Sequence, residues 1–263
     1  MALRRGKRFA RFGIGLAALI AGVAALTGCG SSDQQHHDGP NVVATSTWEA
    51  AFAEAAGATD VTVIVPPAIK HAPDYDPKPS DLAAVSHADY VLYAPFEGFA
   101  TKIKDAAGSS AKVVAVDLDN SRDNVVKEVQ RLGDMFGTRT AADKWLQTFG
   151  ARYDQLATQI KSAWRNGRPP TVVAQTFMGF AAQLSGAQVL GTYGPDQVTA
   201  KQVADLSAAE PELVFANEQM DTGTVLPGTT ARQLDLSNYP TSGNDLLTVY
   251  DDTATKISAA LKG

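Results

Sequence analysis

Pro66-Pro67-Ala68-Ile69-Lys70-His71-Ala72-Pro73-Asp74-Tyr75-Asp76-Pro77-Lys78-Pro79-Ser80-Asp81-Leu82 is the stretch around which the chain is organised. The apolar, β-branched run Val61 to Val65 precedes it and reads as a buried strand. Ser80-Asp81 follows as an N-cap signal, ahead of the helical Leu82 to Val85. Five prolines stiffen the loop between, because Pro locks φ. The loop carries an imidazole, His71, and the carboxylates Asp74, Asp76 and Asp81. A rigid strand-to-helix loop with such side chains is where an α/β domain binds a ligand. The alternative is a proline-rich connector with a solvated His.

Working outward toward the N-terminus, Arg4, Arg5, Lys7, Arg8 and Arg11 form a positive segment ahead of an apolar run from Phe12 to Leu26. That run is shorter than the roughly 20 residues of a membrane span and has signal-peptide length. It ends in Leu26-Thr27-Gly28-Cys29, which resembles a bacterial lipobox. The resemblance implies cleavage after residue 28, lipidation of Cys29, and an extracytoplasmic protein held at the cell membrane. Cys29 is the chain's single cysteine, so no internal disulfide is expected. Residues 29–41 are polar, aperiodic and linker-like, and His36 and His37 fall there. Removing the five cationic residues of 1–28 takes the formal charge from −5 to −10. An acidic exported domain lacks the basic patches that nucleic-acid binding needs.

Strand and helix patterns then alternate. Residues 42–122 read as one parallel α/β lobe, with strands at Val42–Ala44, Val61–Val65, Ala88–Tyr93 and Lys112–Val116. Residues 123–168 carry two helical stripes. One is Val125, Val129, Leu132 and Phe136; the other is Trp145, Phe149, Tyr153, Leu156, Ile160 and Trp164, the spacing of packing surface. Residues 169–263 resume the α/β rhythm, with strands at Thr171–Ala174, Val189–Leu190, Glu212–Ala216 and Ala231–Asp235 and a closing helix from Leu246. The expected fold class is α/β: two lobes joined by a long backbone helix, with the ligand between strand C-termini of both.

Several segments resemble the substrate-binding proteins of bacterial zinc/manganese-type metal-ion ABC importers. They are Val43 to Trp48, Val65-Pro66-Pro67, Tyr75 to Leu82, Ala88 to Tyr93 and Glu97-Gly98-Phe99 in the first lobe. Gly179-Phe180, Glu212 to Ala216 and Leu234-Asp235 extend the likeness into the second. The resemblance implies a monomeric, lipid-anchored receptor that carries a divalent ion, Zn²⁺ or Mn²⁺, to an ABC permease and its ATPase. The family's usual three-His, one-carboxylate site does not carry over. Its first His position is Pro73, no His-x-Trp segment occurs, and its third His position is Gln175. Asp119 to Asn124 runs straight into the following helix, as in iron-chelate and cobalamin binders. The candidate metal ligands are therefore His71, Gln175, Asp235, and Glu97 or Glu218, with Tyr75, Asp76, Phe96 and Phe177 lining the cleft. This oxygen-rich set favours harder ions such as Mn²⁺. The same fold could instead hold a metal chelate or another small solute, or serve a non-transport surface lipoprotein. No nucleophile elbow, phosphate loop or zinc-protease motif suggests an enzyme.

Overall fold

A computed structural model describes residues 39–220 and 223–262 of the chain. Four parallel strands, β1 (Asn41–Ala44), β2 (Asp60–Val63), β3 (Tyr90–Tyr93) and β4 (Lys112–Ala115), make the first sheet in the order β2-β1-β3-β4. Helices α1 (Thr47–Ala55), α2 (Pro79–Ser86) and α3 (Ala100–Ala106) make its crossovers. The second sheet, β5 (Thr171–Gln175), β6 (Gln188–Tyr193), β7 (Leu213–Asn217) and β8 (Arg232–Leu236), repeats the plan as β6-β5-β7-β8, again all parallel. The duplication is topological, and no sequence repeat announces it.

Between the sheets run α4 (Arg122–Phe136) and α5 (Arg139–Ser162). Gly137, at φ 73°, ends α4 in the left-handed conformation that a glycine adopts without a Cβ clash. At 24 residues, α5 is about 36 Å long. Its stripe packs as the spacing predicts: Phe149, Tyr153, Leu156 and Ile160 are buried, and Trp145 and Trp164 lie half-buried against the core. Helices α6 (Gly179–Ser185), α7 (Ala200–Ala208) and α8 (Leu246–Lys262) complete the chain. Tyr250 of α8 is fully buried, with its ring 5.2 Å from Phe149 and 5.7 Å from Phe180.

One hydrophobic cluster runs through both lobes, from Val42, Trp48 and Leu92 through α4 and α5 to Val172, Phe215 and Leu236. Successive strand residues point to opposite faces, so Val43 and Val91 enter a separate outer core of the first lobe. Val173 and Val214 do the same in the second. Among the described residues no helix is long and apolar enough to cross a membrane. Cys29, His36 and His37 lie outside the described residues.

Two local expectations shift. Helix α2 starts at Pro79, not after Ser80-Asp81. Proline's fixed φ and missing N–H suit the first helical position, which moves the cap to Lys78 and puts Asp81 three residues in. There Asp81 accepts from Lys78 N at 2.7 Å and from Tyr75 Oη at 2.9 Å. Strand β6 starts at Gln188, one residue before the Val189-Leu190 pair that reads as the start of a short strand, and spans six residues. The N-cap of α3 is Phe99, without a side-chain bond.

Candidate ligand cleft between the lobes

All eight strands point their C-terminal ends into the same gap, and each contributes to one cavity of about 220 Å³. From the first lobe come Trp48 and Glu49 after β1, His71 and Pro73 after β2, Phe96 and Glu97 after β3, and Leu118 after β4. From the second come Phe177 after β5, Pro195 after β6, Asn217 at the end of β7 with Gln219 just beyond it, and Asn238 and Tyr239 after β8. Both sheets place a ligand site at this edge because loops there leave neighbouring strands in opposite directions.

Hydrogen bonds fasten the loops across the gap. Tyr239 Oη donates to the Lys70 carbonyl at 2.6 Å, Asn120 Nδ2 to the Asn238 carbonyl at 2.5 Å, and Thr47 Oγ1 to the Pro240 carbonyl at 2.7 Å. Trp48 is held by its Nε1, which donates to Asn120 Oδ1 at 3.0 Å, and by Tyr239, whose ring centroid is 5.5 Å away.

The first-lobe floor of the cavity carries two buried carboxyls. Glu49 is fully buried in the first turn of α1, where its Oε2 accepts from Ser46 N at 3.0 Å and from Ser46 Oγ. Glu97 is 4% exposed, and its Oε2 accepts from Ala94 N at 3.0 Å. Burial, and then the neighbouring Glu49 charge, push the Glu97 pKa up to about 9. Burial likewise raises Glu49, against the pull of the Ser46 bonds. A carboxyl with that pKa holds its proton at neutral pH. His71 also lines the cavity, and its Nδ1 is 2.8 Å from Asp74 Oδ2. With Nδ1 on that carboxylate, Nε2 is the nitrogen left for a ligand, the arrangement typical of metal-bound imidazoles.

The residues expected at the site divide. His71, Glu97, Phe96 and Phe177 come together in the cleft. Gln175 is buried beside it, with its Oε1 accepting from Phe177 N at 2.6 Å and its Nε2 3.7 Å from Met220 Sδ. Asp235 is exposed and bonds Gln233 at 3.0 Å, because the pleat turns Leu236 inward and Asp235 out. Glu218 leaves the cleft to meet Lys256 at 3.3 Å. Tyr75 packs edge-on against Phe99 on the outer core, and Asp76 pairs with Lys102 at 2.5 Å in solvent. The five expected metal ligands do not converge. Among the described residues no three His, Cys, Asp or Glu side chains gather closely enough to hold an ion.

Sequence reasoning missed Glu49, Asn217, Asn238 and Tyr239. Ser46-Thr47-Trp48-Glu49 has the pattern of a capping box, and both bonds of that box form. That the same carboxyl is sealed between lobes had no local signal. Two buried amide atoms at the cleft have no partner: Asn217 Nδ2 and Asn238 Oδ1. Such atoms are rare in folded proteins, and gathered at one cavity they mark a place for a ligand.

By fold the chain has the two-lobed, helix-backboned architecture of a solute-binding protein. Residues 42–134, from β1 into α4, match the family described as zinc-uptake complex component A, periplasmic. No curated protein matches the chain. Among solved structures it is similar to laminin-binding protein (Lmb) of Streptococcus agalactiae, with a TM-score of 0.62 at 17% identity over 85% of this chain and 100% of that one. It is also similar to the solute-binding protein FpvC of Pseudomonas aeruginosa in complex with Ni²⁺ (TM-score 0.61, 12% identity, 84% and 95%). A third likeness is to AdcAII of Streptococcus pneumoniae (TM-score 0.57, 16% identity, 83% and 98%). The resemblance carried by the Pro66–Leu82 loop and its neighbours is recovered by the family match and by the fold.

Proposed function

We propose that the chain is an extracytoplasmic solute-binding protein that takes up a divalent metal ion in the interlobe cleft and hands it to an ABC permease and ATPase. The observation that carries this reading is one cavity fed by all eight strand ends. It holds two buried carboxyls and an oriented imidazole, in a chain whose first lobe matches a zinc-uptake family. Relatives of this fold point the same way: FpvC has been seen with Ni²⁺ and with Mn²⁺, and Lmb is described as an adhesin with metal-transporting activity.

The chemistry follows from the donors. A dication in the cleft would draw on carboxyl oxygen and on the His71 ring nitrogen, donors that line the cavity without converging on one point, and oxygen-rich surroundings of this kind suit Mn²⁺ and other harder ions. The ion displaces the Glu97 proton, so uptake releases a proton and tightens as pH rises. The role is that of a receptor, not an enzyme. Lipidation of Cys29 would tether the monomer to the cell membrane, since two acyl chains suffice for stable anchoring.

Melting of the ion-free protein, followed while Mn²⁺, Zn²⁺ and Ni²⁺ are added, tests the reading. An ion at 100 times its Kd stabilises by about 2.7 kcal/mol. A melting temperature unmoved by any of the three, free or complexed, would remove the metal-receptor function.

A further inference from the structure

The cleft is too large and too sparse in ligands for a bare ion. Dications take four to eight donors, yet among the described residues no three His, Cys, Asp or Glu side chains cluster. One water needs only about 10–15 Å³ of such space. The cavity offers about 220 Å³ and adjoins a groove of about 520 Å³. Phe96 from the first lobe and Phe177 from the second line both spaces, with 57% and 42% of their surface exposed. Large apolar side chains left open on opposite lobes provide flat faces for a planar body between them. Deeper in, Asn217 and Asn238 are each 3% exposed, and Asn217 Nδ2 and Asn238 Oδ1 lack partners. An amide NH₂ cannot ligate a cation; it needs an oxygen acceptor. The cavity therefore presents metal donors on one wall, an organic-acceptor contact on the other, and aromatic faces at the mouth.

We propose that the cargo is a divalent cation already bound by a small planar aromatic carboxylate chelator. The chelator completes the coordination sphere, its ring lies between Phe96 and Phe177, and a carboxylate oxygen accepts from Asn217 Nδ2. This rests on the metal-receptor reading given above and names the form in which the metal arrives.

Picolinate is a suitable probe, with the full chain stripped of metal. Calorimetry and native mass spectrometry compare Zn²⁺ or Mn²⁺ alone, picolinate alone, and the 1:1 complexes. The expected result is a complex bound at least tenfold tighter than the bare ion, with both metal and picolinate retained in the protein's mass. Phe177→Ala, at a position 42% exposed, should weaken binding of the complex about tenfold. A bare ion bound as tightly, with no picolinate retained, overturns this proposal and leaves the metal-receptor function standing. Weak ion binding that picolinate does not improve, or picolinate bound equally well without metal, also overturns it. No binding of metal in either form overturns both.

Discussion

Replacing Glu97 by Gln should change how stability depends on pH more than it changes stability itself. Folding buries the carboxyl beside Glu49 and raises its pKa from 4.5 to about 9, while the unfolded chain keeps the ordinary value. Between those pH values the folded protein holds a proton that the unfolded chain has lost. The contribution is thus fully present below pH 4.5 and disappears as pH rises toward 9. Each pH unit in that window is worth about 1.36 kcal/mol. From pH 5 to 8 the ion-free protein should lose up to about 4 kcal/mol through this group, and less if Glu49 takes part of the repulsion. The amide that replaces the carboxyl stays neutral and can still accept from Ala94 N through its oxygen, so E97Q should lack most of that decline. Urea midpoints of both proteins, measured without metal across this range, give the comparison. Parallel curves, within about 0.5 kcal/mol from end to end, would refute a buried protonated Glu97.

Two further substitutions probe the frame around the cleft. Tyr239→Phe removes the donor to the Lys70 carbonyl and should cost about 1 kcal/mol. It should also speed hydrogen exchange at Asp74 and Tyr75, whose amides bond within the loop; unchanged exchange there would show that the tie does not order it. Tyr250→Phe keeps the packed ring but leaves the Asn120 carbonyl without the hydroxyl that lies 2.7 Å away. A loss of about 1–2 kcal/mol in denaturant unfolding is expected, and no change would mean that the carbonyl finds another partner.

The sheets could be read because their strands are short β-branched runs bounded by turn residues, as in Val61–Val65 and Lys112–Val116. β6 could not be read in full, since Gly191 and Thr192 interrupt its apolar pattern. A Cβ at Gly191 would stand 2.5 Å from Leu206 Cδ2, so a larger residue there would have to push that α7 side chain aside. His71 and Glu97 were visible as ligand-type residues just past strand ends. Glu218 and Asp235 occupy similar positions, but a side chain beside a strand end faces the cleft or solvent by the phase of the pleat, which one residue reverses. Glu49 was hidden for another reason. Residues 47–53 of α1 are buried on every side, so the amphipathic pattern that separates a helix's wet face from its dry one is absent there.

The hydrophobic cluster that passes uninterrupted from Leu92 through Phe149 to Phe215 limits how the cleft could open to release a ligand. Swinging the lobes apart as rigid bodies would open that cluster to water, at about 25 cal/mol for each Å² of apolar surface exposed. Release therefore falls to the segments at the cleft mouth, above all residues 66–78, which can shift without touching the shared core. Loaded and empty protein should accordingly have nearly the same radius of gyration. Under the proposed transport function, a docking permease would unload the cleft by bending a loop, not by prying open a hinge.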